Sequence, residues 1–182
     1  MTWSELQATT HFSFLRGASS PQELFAQAAM MGMPALGITD RNSVAGVVQA
    51  LSASEQLVAQ GLPAPRPVNG CRLDLVDGTS LLVWPEDRAG WSRLTRLLSL
   101  GKNRADAQHG EKGRCFLHWD DVAAYAGGLV AALVPAPDVD DAQLTLVADI
   151  FAGRGHVCLT RHRRPGDALR LHRLDARARR FG

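Results

Sequence analysis

Asp40 and Arg41 follow an apolar segment, residues 35–39, at the point where a buried strand would end and a helix would begin. A carboxylate at such a position can act as a general base or a metal ligand, whereas a guanidinium can bind an oxyanion. Further polar side chains lie in or beside the other strands predicted for the first half of the chain, and these are Glu5, Gln7, Thr9, Arg72 and Ser80. Because α/β folds bind ligands at the carboxyl ends of parallel strands, this set is the candidate site.

The short sequence motifs typical of catalytic sites are missing from this chain. The six histidines include no HxH or HExxH pair, so the spacing of a zinc site is missing. There is no GxSxG turn for a serine nucleophile, and "LRGASSP" is neither a P-loop nor a dinucleotide fingerprint. Cys71, Cys115 and Cys158 lie far apart without a CxxC pair, which favours reduced, mostly buried thiols. No catalytic residue is predicted.

The composition is typical of one globular domain, with 46% hydrophobic and 21% charged residues in 182. The sequence has neither an apolar run long enough to cross a bilayer nor a basic segment followed by an apolar one, as in a signal peptide. We therefore expect a cytoplasmic protein without a membrane partner.

Positive charge is concentrated in residues 161–182, which hold eight arginines and two aspartates, a net charge of +6 within a total of +2. Four of these arginines recur at spacings of three or four and so share a helix face. They are Arg170, Arg173, Arg177 and Arg180. Phosphate contact is one interpretation. A solvated face with Leu171 and Leu174 packed behind it is favoured, because no aromatic platform for bases is interleaved.

Six predicted strands alternate with helices along the chain. The strands are residues 5–9, 35–39, 68–76, 80–84, 128–134 and 156–160. The predicted helices begin at a cap on Ser20, at a cap on Asn42 or Ser43, and near residues 87, 118, 141 and 166. The second should reach about residue 60 and the third about residue 100, with a mobile polar loop at 101–114. This alternation predicts an α/β fold with a mostly parallel sheet, either a barrel or a doubly wound sheet.

The ordered segments "ELQATTHFSFLRGASSPQELFAQAAMMGMPALGITDRNSVAGVV", "PVNGCRLDL", "SLLVWPEDRAGWSRLTRLLSLGK" and "GLVAALVP" resemble the N-terminal PHP (polymerase and histidinol phosphatase) domain of bacterial DNA polymerase III alpha subunits, in particular the error-prone branch. The resemblance covers essentially residues 1–182 and implies a distorted (β/α)7 TIM-like barrel. With about six of seven strands predicted, we expect an incomplete barrel. It further implies that the polymerase domains lie outside this chain.

Active members of this family bind up to three metal ions, and the resemblance places their ligands on unsuitable residues here. The family's HxH pair falls on Gln7 and Thr9, and its aspartate before glycine falls on Arg16. The histidine of its TDH turn falls on Arg41, and its GxE glutamate on Arg72. The site is therefore interpreted as degenerate.

A later histidine of the family falls on Ser80, and its distal DxH has no counterpart. Zinc and manganese need lone pairs that a guanidinium lacks. We therefore expect no metal or other cofactor in this domain, and expect Arg16, Arg41 and Arg72 to form an internal ion-pair network with Glu5 and Asp40. Zinc or manganese would be needed only if the degenerate interpretation were wrong, and magnesium belongs to the polymerase domains outside the chain.

The resemblance implies a structural module of an error-prone, DNA-directed DNA polymerase that acts in translesion synthesis after DNA damage. Its expected partners are the rest of the alpha subunit, DNA indirectly, and mutagenesis accessory proteins. Two alternatives stay open. One is a metal-dependent phosphoesterase or 3'-5' proofreading exonuclease. The other is a nucleic-acid-binding module that uses the arginine-rich helix.

Overall fold

The structure, a computed structural model, describes residues 3–110, 113–136, 140–161 and 163–181. These residues form seven strands: β1 (Glu5–Ala8), β2 (Ala35–Ile38), β3 (Arg66–Asn69), β4 (Cys71–Asp74), β5 (Ser80–Pro85), β6 (Leu129–Val134) and β7 (Gly155–Val157). They also form six helices: α1 (Pro21–Met30), α2 (Val47–Ala59), α3 (Arg88–His109), α4 (Trp119–Tyr125), α5 (Asp141–Phe151) and α6 (Asp167–Ala178). In the part of the chain so described, none of the helices is long and apolar enough to cross a membrane.

The strands form two sheets. The first has the order β1-β2-β3 with parallel pairing, and Ala35 of β2 lies opposite Arg66 of β3. The second has the order β4-β5-β6-β7, with β6 and β7 parallel. The mixed α/β class predicted from the alternation of strands and helices is confirmed.

The described residues group into two compact units. The first contains the chain up to Leu73 together with Leu82–Trp84. Its core packs α1 and α2 against the three-stranded sheet and includes the buried residues Phe25, Ile38 and Ala50. The second unit holds Asp74–Leu81 and the chain from Pro85 onward, with its own buried side chains. They include Leu94, Leu97, Leu117, Leu129 and Phe151.

The prediction of six strands is wrong, because residues 68–76 form parts of two strands and not one. β3 pairs with β2 and ends at Asn69, whereas β4 begins at Cys71. Between them Gly70 is buried, and a Cβ there would lie 2.6 Å from Trp84 Cδ1. Glycine within a strand pattern commonly marks such a close approach. An apolar run does not by itself reveal that the chain changes sheets.

The predicted start of the second helix is also wrong. Asn42 has a φ of +47°, a left-handed conformation that cannot open a helix. The helix starts four residues later with Gly46 as its N-cap, and Gly46 makes no side-chain cap bond. Ser43 does not cap the helix either, since its hydroxyl accepts a hydrogen bond from Ala45 N–H at 3.2 Å, before the helix begins.

The polar loop predicted from residue 101 is wrong over 101–109, where α3 continues. The helix begins near residue 87 as predicted, and Asp87 is its N-cap, since its carboxylate accepts a hydrogen bond from Gly90 N–H at 2.7 Å. The extension consists largely of residues with good helix propensity, and Ala105 within it is fully buried. Gly110 ends the helix in a left-handed conformation. Residues 111 and 112 of the predicted loop lie outside the described residues.

Candidate functional site

A cavity of about 270 Å³ lies within the first unit and is lined by Thr9, Arg16, Thr39, Arg41 and Arg72. Thr9 follows β1, while Thr39 and Arg41 follow β2. Arg72 belongs to β4, and Arg16 belongs to the loop between β1 and α1. Four of the positions at which the resemblance placed metal ligands thus line one cavity. Its lining residues are thus three arginines and two threonines.

Asp40 does not line this cavity but anchors the loop beside it. Its side chain is 1% exposed, and Oδ1 accepts hydrogen bonds from Thr10 N–H at 2.8 Å and from the Ser13 hydroxyl at 2.7 Å. Oδ2 accepts a third from the Thr10 hydroxyl at 2.8 Å. These neutral donors satisfy a buried carboxylate, as burial of a charged group requires. Asp40 therefore holds the loop after β1 against the end of β2.

Ser13 extends this anchor to the backbone of Arg41. The Ser13 hydroxyl accepts a hydrogen bond from Arg41 N–H at 2.9 Å while it donates to Asp40. The Ser13 carbonyl accepts hydrogen bonds from the N–H groups of Arg16 and Gly17, at 2.9 and 3.0 Å. The loop is tight here, since a Cβ at Gly17 would lie 2.1 Å from Thr10 O. The same contacts thus fix the backbone of two arginines that line the cavity.

The backbones of Arg41 and Arg72 are direct neighbours. Arg41 and Arg72 form a parallel β-bridge, in which Arg72 N–H donates to Asp40 O at 3.0 Å and Asn42 N–H donates to Arg72 O at 2.7 Å. The bridge therefore holds these two cavity-lining residues side by side.

The remaining predicted site residues lie elsewhere. The Gln7 N–H in β1 donates to Glu5 Oε1 at 2.7 Å. Ser80, in the second unit, donates its hydroxyl to Asp74 Oδ1 at 2.7 Å. The ion-pair network predicted for the arginines with Glu5 and Asp40 stays a prediction. The observed partners of the Asp40 carboxylate are the three neutral donors described above.

The cavity wall does not fit the metal cluster that the family implies. Guanidinium groups offer no lone pair to a cation, and the fixed positive charge of three of them repels one. Threonine hydroxyls alone are poor ligands for zinc or manganese. Among the residues that the structure describes, no group of three or more His, Cys, Asp and Glu side chains could hold a metal ion.

The arginine-rich helix predicted near the end of the chain is α6, and it borders a second cavity of about 290 Å³ within the second unit. Arg170, Arg173 and Arg177 line it, whereas Arg180 is not among its lining residues. Arg170 forms an ion pair with Asp167 at 3.2 Å, and Arg177 forms one with Asp141 at 2.6 Å. Leu174 is buried, as predicted, and lines the same cavity as these arginines, while Leu171 is half-buried.

The sequence reasoning missed Thr10, Ser13 and Gly46. A Cβ at Gly46 would lie 2.6 Å from Asp40 Oδ2, so glycine allows the start of α2 to approach the carboxylate. The partners of Asp40 lie 27 and 30 residues away in sequence and leave no periodic signal. In the sequence, the small polar residues of the loop after β1 were the signal that could have indicated hydrogen-bond partners for Asp40.

The chain belongs to the PHP domain family, since the family's sequence profile matches residues 5–171. It is 54% identical over its whole length to error-prone DNA polymerase 3 of Agrobacterium fabrum, of which it spans 16%. It is also 56% identical over 96% of its length to error-prone DNA polymerase 2 of Rhizobium meliloti, of which it spans 15%. The chain therefore corresponds to about a sixth of these relatives. These matches support the interpretation of the chain as one module of a longer polymerase.

Solved structures share the fold. A Bifidobacterium adolescentis protein named as a metal-dependent phosphoesterase superposes with a TM-score of 0.69 at 16% identity, over 99% of this chain and 84% of that one. An amidohydrolase of Chromobacterium violaceum gives 0.68 at 13% identity, over 98% and 84%. At this identity the likeness establishes the fold alone.

Proposed function

We propose that the chain is a metal-free PHP domain that serves as a scaffold within an error-prone DNA polymerase. The observation that carries this proposal is the cavity at the strand ends, where Arg16, Arg41 and Arg72 occupy the wall. Active PHP domains need imidazole and carboxylate ligands at these positions. Arginines at these positions are compatible with the fold, but their guanidinium groups cannot coordinate a metal ion.

The wider activity follows from the relatives. Because an error-prone DNA polymerase matches the whole chain at 54% identity, we infer that this domain belongs to a DNA-directed DNA polymerase acting in translesion synthesis after damage. The magnesium ions for nucleotidyl transfer would then be held by domains beyond these residues. The rest of the polymerase is the partner proposed for the scaffold, and DNA and accessory proteins are indirect partners.

A scaffold needs a surface that contacts its partner. The loop between β1 and α1, which Asp40 anchors, presents such a surface. Phe14 and Leu15 are 84% and 88% exposed, and they directly follow Ser13. Leu15 has a φ of +59°, a conformation that costs energy for a side chain of this kind. Exposed adjacent apolar side chains on a firmly tethered loop support docking against another domain.

Elemental analysis of the purified protein tests the metal-free proposal. The expected result is zinc and manganese far below one ion per chain, both as isolated and after incubation with either metal followed by desalting. A PHP domain that retains its histidine ligands serves as the positive control under the same conditions. Near-stoichiometric zinc or manganese would overturn the proposal.

The phosphoesterase alternative rests on the fold shared with the protein named as a metal-dependent phosphoesterase. It predicts hydrolysis of a phosphodiester in the presence of manganese that chelation abolishes. The donor chemistry of the cavity argues against this activity, so we expect no hydrolysis above a buffer control.

The nucleic-acid-binding alternative rests on the three arginines of α6 that line one cavity. Two of them already have carboxylate partners, which reduces the positive charge they offer to phosphates. Direct binding would give affinity for DNA that falls steeply with salt and that is lost when Arg173 and Arg177 are neutralised.

A further inference from the structure

We propose that an exposed stripe on α2 is a docking surface for a helix from another region of a longer polymerase chain, and that this helix places a lysine or arginine opposite Glu55. The stripe consists of Val48, Leu51, Glu55 and Val58. The inference rests on the proposed polymerase module, and it names the element that is contacted and the chemistry of the contact. The α2 stripe lies on a different element from the exposed loop after β1.

The spacing of the stripe is that of a helix-packing seam. Its residues recur at intervals of three, four and three, so they share one face of the helix. The same alternation forms the seam by which one helix packs against another in coiled coils. The face of α2 that meets the core of the first unit is a different one and includes the buried Ala50 and Ala53. The helix thus carries a second apolar face.

This second face is exposed to solvent. Its three apolar side chains are between 48% and 72% exposed. Of the thirteen large hydrophobic side chains that are exposed in the described residues, ten belong to the first unit, and the other three are Val76, Leu159 and Leu169. Concentrated exposure of apolar side chains is typical of a surface that another protein region covers. The first unit, and α2 within it, is therefore the part of the chain that we expect to be covered.

Glu55 determines the chemistry of the partner. It is the single charged residue of α2, it is exposed, and it lies in the stripe between Leu51 and Val58. A helix docked on the stripe would remove the carboxylate from water, and burial of a charge without an opposite charge is costly. A lysine or arginine on the partner compensates this cost. As with a polar residue in a coiled-coil seam, the pair would also fix the register of the two helices.

A second copy of this chain fits the stripe poorly. In a parallel pair of α2 helices, Glu55 would face Glu55 of the other copy, and like charges so placed are destabilising. In an antiparallel pair centred on the stripe, each Glu55 would face Leu51 and have no opposite charge. The relatives offer another source, because the chain spans only 16% of error-prone DNA polymerase 3 of Agrobacterium fabrum.

Two peptide probes test the chemistry of the partner on the 182-residue chain. Both are fluorescent amphipathic helices of about 18 residues with leucine along one face. One has a central lysine and the other a central glutamate, and fluorescence anisotropy measures their affinity. We expect the lysine peptide to bind at least about threefold more tightly than the glutamate peptide, and Glu55→Lys to reverse this order.

A matched pair of substitutions locates the binding. Leu51 on α2 and Leu169 on α6 are 48% and 53% exposed, so Leu51→Gln and Leu169→Gln remove equally exposed leucines from different helices. Circular dichroism and the melting temperature check that both variants fold. We expect Leu51→Gln to weaken binding of the lysine peptide by about fivefold or more, and Leu169→Gln to leave it unchanged.

A chimeric polymerase tests the identity of the partner. In it, this chain replaces the matching segment of the Agrobacterium fabrum polymerase, to which it is 54% identical. Primer extension shows that the chimera is folded, and hydroxyl-radical labelling with mass spectrometry reports the accessibility of each side chain. We expect labelling of Val48, Leu51 and Val58 to be several-fold lower in the chimera than in the free chain. Glu55→Lys should raise it again.

Three results would overturn the proposal. The first is equal affinity for the two peptides, or no saturable binding of either. The second is a dimer of the free chain in sedimentation velocity whose α2 stripe is already protected from labelling, which would assign the surface to a second copy. The third is an active chimera in which the α2 stripe is labelled as strongly as in the free chain.

The chimera also separates this inference from the scaffold proposal. Protection of other exposed side chains, such as Phe14, beside an unprotected α2 stripe contradicts only the docking surface on α2. Labelling equal to that of the free chain at every residue of an active chimera contradicts the scaffold as well. For a chimera that does not extend a primer, the two peptides and the matched leucine substitutions decide the proposal.

Discussion

The Ser13 hydroxyl donates a hydrogen bond to Asp40 Oδ1 at 2.7 Å across 27 residues of sequence. This contact joins the loop after β1 to the end of β2, and the same hydroxyl accepts the N–H of Arg41. An aspartate that could have been a base or a metal ligand therefore has a structural role. It organises the loop that contributes Arg16 to the cavity.

Asp40→Asn should destabilise the protein by about 1–3 kcal/mol, because the new NH₂ group faces donors of Thr10 or Ser13 and leaves buried groups unpaired. Urea denaturation at neutral pH measures the effect. The control is Asp106→Asn, at an exposed position on α3, which should change stability by less than about 0.5 kcal/mol. Equal effects of the two substitutions would show that Asp40 is not an anchor.

Gly46→Ala should also destabilise the protein, by about 1–3 kcal/mol. Its φ of −73° suits alanine, so the cost arises from space alone, with a Cβ placed 2.6 Å from Asp40 Oδ2. Gly127→Ala is the matched control, since a Cβ there meets its nearest atom, in Arg93, at an ordinary 3.4 Å. A stabilised Gly46→Ala variant would contradict the close packing of α2 against the carboxylate.

Much of the fold was predictable where local chemistry decides it. The cap predicted on Ser20 is present at the start of α1, where Glu23 N–H donates to the Ser20 hydroxyl at 3.2 Å as part of a capping box. The break at Gly70 and the late start of α2 were not predictable. Both depend on contacts with distant parts of the chain, which outweigh the local pattern.

The candidate site was predictable only in part. The resemblance identified Arg16, Arg41 and Arg72, and the structure places them around one cavity. It did not indicate how the arginines are held, because Thr10 and Ser13 are ordinary loop residues by type. Their role arises from tertiary hydrogen bonds to a buried carboxylate.

The ion pair between Arg104 and Asp121 should make stability depend on pH. Arg104 binds both carboxylate oxygens, at 2.5 and 2.8 Å, and this holds the pKa of Asp121 below its ordinary value of 3.8. A lowered folded-state pKa adds stability that is fully present above the unfolded value and is lost as the pH falls through the folded value. The coupling energy from a double-mutant cycle of Arg104→Gln and Asp121→Asn should therefore be constant from pH 7 to about pH 5 and decline below pH 4. Coupling that persists undiminished well below that range would contradict this ion pair.

Cys115 should react slowly with alkylating reagents at neutral pH. Burial raises the pKa of its thiol to about 11, so little of the reactive thiolate is present. We expect iodoacetamide to label Cys115 slowly in the folded chain and rapidly in urea, with site-resolved mass spectrometry as the measurement. Labelling of the folded protein as fast as that of the urea-unfolded chain would show that the thiol is accessible and ionised.

Restoring one imidazole should not restore a metal centre. Arg41→His places a zinc ligand after β2, but Arg16 and Arg72 still line the cavity and still bring positive charge without lone pairs. We therefore expect zinc in the desalted variant to stay far below one ion per chain. The comparison is the triple variant Arg16→Asp, Arg41→His and Arg72→Glu. It replaces all three cations with groups that can coordinate metal. Stoichiometric zinc in Arg41→His alone would mean that the remaining arginines do not prevent metal binding, and the metal-free proposal would then lose its main support.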